Sequence, residues 1–197
     1  GFANVYVNKT GPVRAGVNKD YTWTINFGNN GNIDAANARI IDKLPNEDVN
    51  NNGILDPDED IIVNGVIDKL YTFVSGSGTL PSVSNCNVLS DTATTTYIIC
   101  NATGDPLDTS WTLAHGSVGS ITLTAHAIND YALLNSGMST NRVSIITDTD
   151  ETNIADNNAV YTVPFWPSGY SSISGYVYYD NNTDNLRSAT EPPIATI

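Results

Sequence analysis

A strict alternation of apolar and polar side chains over residues 21–27 constrains the fold more than any other feature of the sequence. A period of two is that of a β-strand with one buried face, because successive side chains point to opposite faces of a sheet. The cluster GNNGN at 28–32 follows at once and predicts a turn. The side chains expected on the buried face are those of Tyr21, Trp23, Ile25 and Phe27.

Further β-prone segments, separated by clusters of Gly, Pro and Asn, recur along the first 165 residues. Strands are expected at 3–7, 36–40, 61–66, 70–74, 97–100, 111–113, 121–127, 141–145 and 158–165. Residues 75–85 are rich in Gly, Ser and Pro and predict a loop, and no segment has a convincing helical period. Many short strands with frequent turn signals indicate an all-β chain folded as a β-sandwich.

The charge balance excludes several classes of partner. The chain carries 21 acidic and 8 basic residues, which gives a net charge of −13. Such a chain repels nucleic-acid phosphates and opposes binding to an anionic membrane surface. No segment approaches the run of about 20 apolar residues that a membrane-spanning helix needs. We therefore expect neither a nucleic-acid partner nor membrane insertion.

Residues 48–59, DVNNNGILDPDE, match the calcium-loop pattern D-x-[DN]-x-[DN]-G-x5-E at every specified position. A hard cation takes six to eight oxygen ligands, and Gly53 permits the sharp turn that brings them together. The predicted insertion spans about residues 45–69, and the alternative is an acidic surface loop. The expected calcium ligands are Asp48, Asn50, Asn52, the carbonyl of Ile54, Asp56 and Glu59.

The two cysteines, Cys86 and Cys100, flank a Thr- and Ser-rich segment. Two short β-prone runs around a turn could bring them together as a disulfide, which would contribute about 3 kcal/mol on the chain-entropy model. Two buried free thiols are the alternative. The pair lacks the paired CxxC spacing of a zinc site.

The segment YTWTINFGNNGNIDAANARIIDKLP at 21–45 resembles a prokaryotic surface-protein family, a conserved repeat domain of unknown function. The segments at 119–127, 140–147 and 156–163 resemble later parts of that family, in the same order. The resemblance implies an Ig-like sandwich over residues 1–166, used as a tandem module in secreted or cell-wall proteins. The calcium-loop insertion and the cysteine segment are not part of the family pattern.

The C-terminal segment SISGYVYYDNNTDNLRSATEPPIA at 172–195 resembles the opening of the B-type calcium-binding domains of Gram-positive adhesins. Residues 167–171 are the expected linker, and 172–197 are the start of an incomplete second domain or a strand donated to a neighbouring subunit. A solvated Asn- and Asp-rich linker is the alternative. The resemblance implies calcium ligands at Asp180, Asn182, Asp184, Leu186, Ser188 and Glu191, with Asn185 in place of the usual Gly.

Lys9, Asp42 and Asn141 share the inward parity of their predicted strands. An inward Lys and Asp are costly unless they are paired, so one interpretation is a buried ion pair capped by Asn141. The adhesin resemblance implies a second interpretation, an autocatalytic isopeptide bond between Lys9 and Asn141 assisted by Asp42. Asn158 is the alternative acceptor.

Together these features predict an extracellular, calcium-stabilised structural or adhesive module of a cell-surface or secreted repeat protein. The alternative is a self-assembling filament or tube subunit joined by strand donation and calcium, and a ligand-binding adhesin tip is a third class. The expected partners of this protein are neighbouring domains, identical subunits or a cell-surface ligand. Catalysis on a diffusible substrate is not expected, because His115 and His126 have no recognisable nucleophile partner and AHGSVG at 114–119 lacks the first Gly of a nucleophile elbow.

Overall fold

A computed structural model describes residues 1–79, 85–137 and 139–165. Within these residues the chain forms nine strands and one short helix. The strands are β1 (Val5–Thr10), β2 (Asp20–Asn29), β3 (Arg39–Lys43), β4 (Tyr71–Gly78), β5 (Asn85–Asp91), β6 (Thr96–Asn101), β7 (Val118–Ala127), β8 (Thr140–Ile146) and β9 (Asn158–Thr162). The helix α1 (Tyr131–Asn135) lies between β7 and β8.

The strands form two antiparallel sheets that face each other. One has the order β1-β2-β7-β4 and the other the order β5-β6-β3-β8-β9. The predicted all-β sandwich is confirmed. Among the described residues, no helix is long and apolar enough to cross a membrane.

The core lies between the sheets and contains the alternating residues of β2. Trp23, Ile25 and Phe27 are buried, and Tyr21 is partly buried. Trp23 packs edge-on against Tyr71 of β4, with ring centroids 5.2 Å apart. Phe27 packs in the same way against Trp111, at 5.6 Å. The period-two pattern therefore identified the buried face of this strand.

A short helix, which the sequence analysis did not predict, joins β7 and β8. The Asp130 side chain caps it by accepting a hydrogen bond from the backbone N–H of Leu133 at 3.1 Å. Leu133 and Leu134 are buried against the sandwich. Five residues are too few to display a helical period, so no periodic signal was available.

Several of the predicted segments were wrong in extent, among them the strand expected at 158–165, which ends at Thr162. The strand expected at 36–40 begins at Arg39, because Asn37 has a φ of +49° that interrupts the extended backbone and leaves Ala36 exposed. The loop expected at 75–85 is still strand as far as Gly78. The strand expected at 111–113 is reduced to a single bridge between Leu113 and Ala35.

The strand expected at 61–66 is not formed. These residues are turns and bends, in which the side-chain oxygens of Asp60 and Asn64 accept hydrogen bonds from backbone N–H groups. Such local side-chain bonds offer the backbone an alternative to a sheet ladder. The predicted insertion is therefore irregular over most of its length.

The disulfide prediction is confirmed. Cys86 of β5 and Cys100 of β6 lie directly opposite each other in the antiparallel ladder and are bonded, with a Cα–Cα distance of 4.2 Å. Both residues are buried. The bridge fastens β5, an edge strand, to its neighbour in the five-stranded sheet.

Candidate functional site

Lys9, Asp42 and Asn141 meet inside the sandwich. The Lys9 ammonium contacts Asp42 Oδ2, and the Asn141 amide donates to Asp42 Oδ1 at 3.0 Å. Asp42 and Asn141 are fully buried, and Lys9 is 8% exposed. The structure thus brings together all three residues that the sequence parity placed on inward faces.

The order and register of the strands explain why these three residues are in contact. Lys9 lies on β1, the edge of the four-stranded sheet, while β3 and β8 are neighbours in the five-stranded sheet. Asp42 pairs with Val143, so Asn141 lies two residues along on the same face. Such diagonal cross-strand neighbours are within reach of each other's side chains. The three residues therefore connect the two sheets through the core.

Burial disfavours the charged forms of Lys9 and Asp42. Desolvation lowers the pKa of Lys9, against the opposing attraction of Asp42. Desolvation also raises the pKa of Asp42, against the opposing effects of Lys9 and Asn141. Both shifts favour moving one proton from the ammonium to the carboxylate, which leaves a neutral amine and a neutral acid side by side.

The Asn141 amide presents its carbonyl group without a hydrogen-bond partner. Within the described residues, its Oδ1 atom is buried and accepts no hydrogen bond. Lys9 and Asn141 both contact Asp42, so an amine, an acid and an amide share one buried cluster. These are the three groups that amine attack on an amide carbonyl carbon requires. The alternative acceptor Asn158 is exposed and accepts a hydrogen bond from Ser144 at 2.6 Å, so the structure favours Asn141.

The predicted calcium loop leaves the sandwich between β3 and β4. A bridge between Asn46 and Lys69 closes the neck of this insertion, next to a hydrogen bond from the Leu70 N–H to the Pro45 carbonyl at 3.0 Å. Gly53 has a φ of +79°, as its place in the pattern requires. The loop is therefore anchored at both ends to the sheets.

The side chains of the loop turn toward its interior. Asp48 accepts hydrogen bonds from the backbone N–H groups of Asn52 and Gly53, at 3.0 and 3.2 Å. The amides of Asn50 and Asn52 both donate to Asp56 Oδ2, at 2.7 and 3.1 Å. These four polar side chains therefore lie within reach of one another.

The closing residue Glu59 is almost fully buried. Its Oε1 atom accepts from the backbone N–H groups of Val49 and Asn50, at 3.0 and 3.1 Å, and its Oε2 atom accepts from the backbone N–H group of Asp56 at 3.3 Å. Ile54, the expected carbonyl ligand, is 62% exposed through its apolar side chain. An oxygen-only donor set of this kind fits calcium chemically.

The arrangement is not that of an assembled metal site. No group of three or more His, Cys, Asp or Glu side chains within the described ranges is placed to hold a metal ion. The carboxylates are instead satisfied by backbone N–H groups, and the Lys43 ammonium contacts Asp48 Oδ2 at 3.1 Å. Calcium binding would replace some of these contacts, so it remains a prediction for the loop.

Two basic side chains that the sequence analysis missed hold the loop against the sheet. Lys43, only 7% exposed, donates to Asn51 Oδ1 at 2.7 Å in addition to Asp48. Arg142 of β8 donates to the carbonyl of Val49. Lys43 follows the inward residue Asp42, and Arg142 follows the inward residue Asn141, so strand alternation places both on the opposite face of the sheet. The loop lies against that face, and this alternation is the signal by which the sequence could have identified them.

The remaining predicted sites are outside the described residues or at the surface. The tail ligands Asp180, Asn182, Asp184, Leu186, Ser188 and Glu191 lie beyond residue 165, so the second calcium loop and the donated strand stay predictions. His126 Nδ1 lies 2.6 Å from Asp20 Oδ1, and His115 Nδ1 lies 3.3 Å from Asp34 Oδ1. Both contacts are exposed. The absence of catalysis on a diffusible substrate stays a prediction as well.

No protein-family profile and no curated protein matches this sequence. Solved structures with a similar fold include the CARDB domain of PF1109 from Pyrococcus furiosus, at 14% identity and a TM-score of 0.39, covering 83% of this chain and 95% of that domain. A cohesin module from a Clostridium perfringens family 33 glycoside hydrolase matches at 8% identity and a TM-score of 0.43, covering 84% and 98%. A family 3a carbohydrate-binding module from the cipA scaffolding of Clostridium thermocellum matches at 12% identity and 0.31, covering 74% and 95%.

The described part of this chain is a β-sandwich. At these identities the likeness concerns the fold alone. The function of the chain must therefore be inferred from its own side chains.

Proposed function

We propose that this chain is an extracellular structural or adhesive module, stabilised by calcium and by a covalent bond between Lys9 and Asn141. The observation that carries the proposal is the buried contact of Lys9, Asp42 and Asn141 between the two sheets. A disulfide between neighbouring strands supports an oxidising, extracellular setting.

The proposed bond forms without any added reagent. The Lys9 ammonium passes one proton to Asp42, and the neutral Nζ atom attacks the Cγ atom of Asn141. A C–N bond forms, the Cγ–Nδ2 bond breaks, and Nδ2 leaves as ammonia with a proton from the attacking nitrogen. One N–H remains in the new amide, and Asp42 keeps the transferred proton.

Such a bond would suit a module that carries tension. It would link β1, near the start of the sandwich, with β8, near its end. A pull on the two ends of residues 1–165 would then pass through a covalent bond instead of through the hydrogen-bond ladders between strands. The residues between Lys9 and Asn141 would be shielded from the load.

Calcium would have a complementary role in the insertion. The loop gathers the carboxylates of Asp48, Asp56 and Glu59, which repel one another in the absence of a cation. Within the residues that the structure describes, Asp48 has the Lys43 ammonium as its one counter-charge. An ion bound to these oxygens would stiffen the loop, since metal-binding energy contributes directly to the stability of the bound form.

Intact-mass measurement tests the covalent bond. The reference is the mass calculated from the sequence with the disulfide formed. The wild-type chain should be lighter than this mass by one ammonia. The variants K9M and D42N should retain the full mass, because one lacks the amine and the other lacks the proton-accepting carboxylate. The control N158A should lose ammonia as the wild type does, since Asn158 lies on the exposed face.

A linked peptide must accompany the mass change. Ring closure at the Asn–Gly pairs 30–31, 52–53 and 64–65 would also release ammonia. A protease digest should therefore yield a peptide in which Lys9 is joined to Asn141. A wild-type chain at full mass, or one that loses ammonia without this peptide, overturns the proposal.

A further inference from the structure

The insertion carries a group of apolar side chains at its surface. Leu55, Pro57 and Val63 line one cleft of about 390 Å³. Ile54 and Ile62, which precede two of these residues in the sequence, are 62% and 40% exposed. These residues together are called the insertion patch. Single exposed apolar residues are ordinary in a folded protein, whereas a group of them around a cleft is typical of an interaction surface.

Val63 is the member of the insertion patch that the fold itself explains least. Its φ is +52°, a backbone conformation that is unfavourable for a β-branched residue because Cβ lies close to the following carbonyl oxygen. The residue is 84% exposed, so contacts within the domain do not offset this cost. Glycine or asparagine would suit the position better in both respects. Strain of this kind is typical of functional surfaces, so the valine side chain is better explained by a contact with another molecule.

Carboxylates lie beside the insertion patch. Asp56 and Asp60 line the same cleft, and Asp58 between them in the sequence is exposed. Within the described residues, no ion pair includes any of the three. A second copy of this chain, with its net charge of −13, would be repelled by this surface. Charge complementarity therefore favours a basic partner.

We propose that the insertion patch docks a basic, apolar segment of another protein. The aliphatic side chains of that segment would enter the cleft, and its Lys or Arg side chains would lie against Asp56, Asp58 and Asp60. Apolar contacts in the cleft would provide most of the affinity, and the carboxylates would determine which partner binds. The inference rests on the proposed function only in assuming an adhesive role, and it requires neither the calcium ion nor the covalent bond.

Peptide binding to the full chain tests the inference. One labelled synthetic peptide is an amphipathic helix with leucine on one face and lysine on the other, and the comparison peptide has glutamate in place of every lysine. Chelator in the buffer keeps the carboxylates free of calcium. Fluorescence anisotropy should show binding of the lysine peptide alone. The variant V63N should weaken this binding about tenfold, the factor that corresponds to one buried valine side chain.

Val13 provides the matched control. It is 85% exposed, as Val63 is 84% exposed, and it is not among the described residues with a positive φ. V13N should therefore keep the wild-type affinity. V63N should also raise the melting temperature by about 2–4 °C, because asparagine relieves the backbone strain, whereas V13N should leave it unchanged. A variant that gains stability while it loses binding identifies a contact residue, because loss of a structural residue would lower both.

Three results would overturn the docking inference. Equal affinity of the wild type and V63N would show that the lysine peptide binds by charge alone. Equal binding of the two peptides would show that the carboxylates do not select the partner. Self-association that V63N abolishes, measured by analytical ultracentrifugation, would make a second copy the occupant of the cleft. Each of these results leaves the covalent bond and calcium binding unaffected, so the proposed function is tested separately by intact mass and peptide mapping.

Discussion

At the scale of single residues, burial changes the chemistry of several side chains in this protein. Tyr71 is fully buried in the core, against Trp23, and its hydroxyl group lies 3.4 Å from Ser139 Oγ. Desolvation raises its pKa to about 12. The same effect acts on Lys9 and Asp42, where it favours the neutral amine that the proposed bond requires.

The shifted pKa of Tyr71 predicts a loss of stability in alkali. The folded-state pKa of about 12 lies above the unfolded value, near 10, so the contribution is complete below pH 10 and is lost as the pH rises through 12. Between these limits the wild type should lose about 2–3 kcal/mol of unfolding free energy relative to Y71F. Urea unfolding at several pH values would measure it.

Y71F is the control for the wild type, because all the other titrating groups are the same in both proteins. The two chains should show parallel pH dependence below pH 9 and diverge above it. Equal losses up to pH 12 would mean that the Tyr71 hydroxyl reaches solvent and titrates normally.

At the scale of elements, the two sheets approach closely where β4 passes β5. A β-carbon at Gly76 of β4 would lie 2.6 Å from Cys86 Cβ and 2.9 Å from its sulfur. These are too short for non-bonded atoms, and the disulfide holds Cys86 in place. Gly76 therefore lets an edge strand of one sheet approach an edge strand of the other.

Substituting this glycine should separate the two strands. G76A should destabilise the domain by about 1–3 kcal/mol, the usual cost of overpacking a closely packed site. The control S75A changes an exposed neighbour on the same strand and should have little effect. Thermal unfolding of the oxidised proteins would compare them, and equal stability for G76A would show that the strands can move apart freely.

At the scale of the whole molecule, the sandwich is organised around connections between its two sheets. The core side chains provide most of these contacts, and the Lys9–Asp42–Asn141 group adds a polar connection through the centre. A covalent bond there would link residues separated by most of the sandwich sequence. Its effect would therefore appear when the whole chain is pulled.

Single-molecule force spectroscopy gives the corresponding prediction. Pulled between its ends, the wild type should extend only by the segments outside residues 9–141, because the bond bypasses the residues between them. K9M should extend by almost the entire chain, apart from the loop closed by Cys86 and Cys100. Equal extensions of the two proteins would contradict the bond.

The local features of this protein were determined by its sequence alone. The period-two pattern identified the buried face of β2, and the inward parity of Lys9, Asp42 and Asn141 was correct. The position of Gly53 in the calcium pattern agreed with its positive φ. These features could be predicted because each depends on neighbouring residues along the chain, through side-chain direction or backbone sterics.

The tertiary structure alone decided which of these local features meet. Parity states that a side chain faces inward, but sheet order and register place Asp42 against Lys9 and Asn141, which are 33 and 99 residues away. Likewise, the segment at 61–66 has the composition of a strand, yet Glu47 and Asp60 fold it as a loop. In the first case the pairing of distant strands decides the contact, and in the second case side-chain hydrogen bonds to the backbone outweigh the local preference for a strand. The alternation of apolar and polar residues along the chain records neither effect.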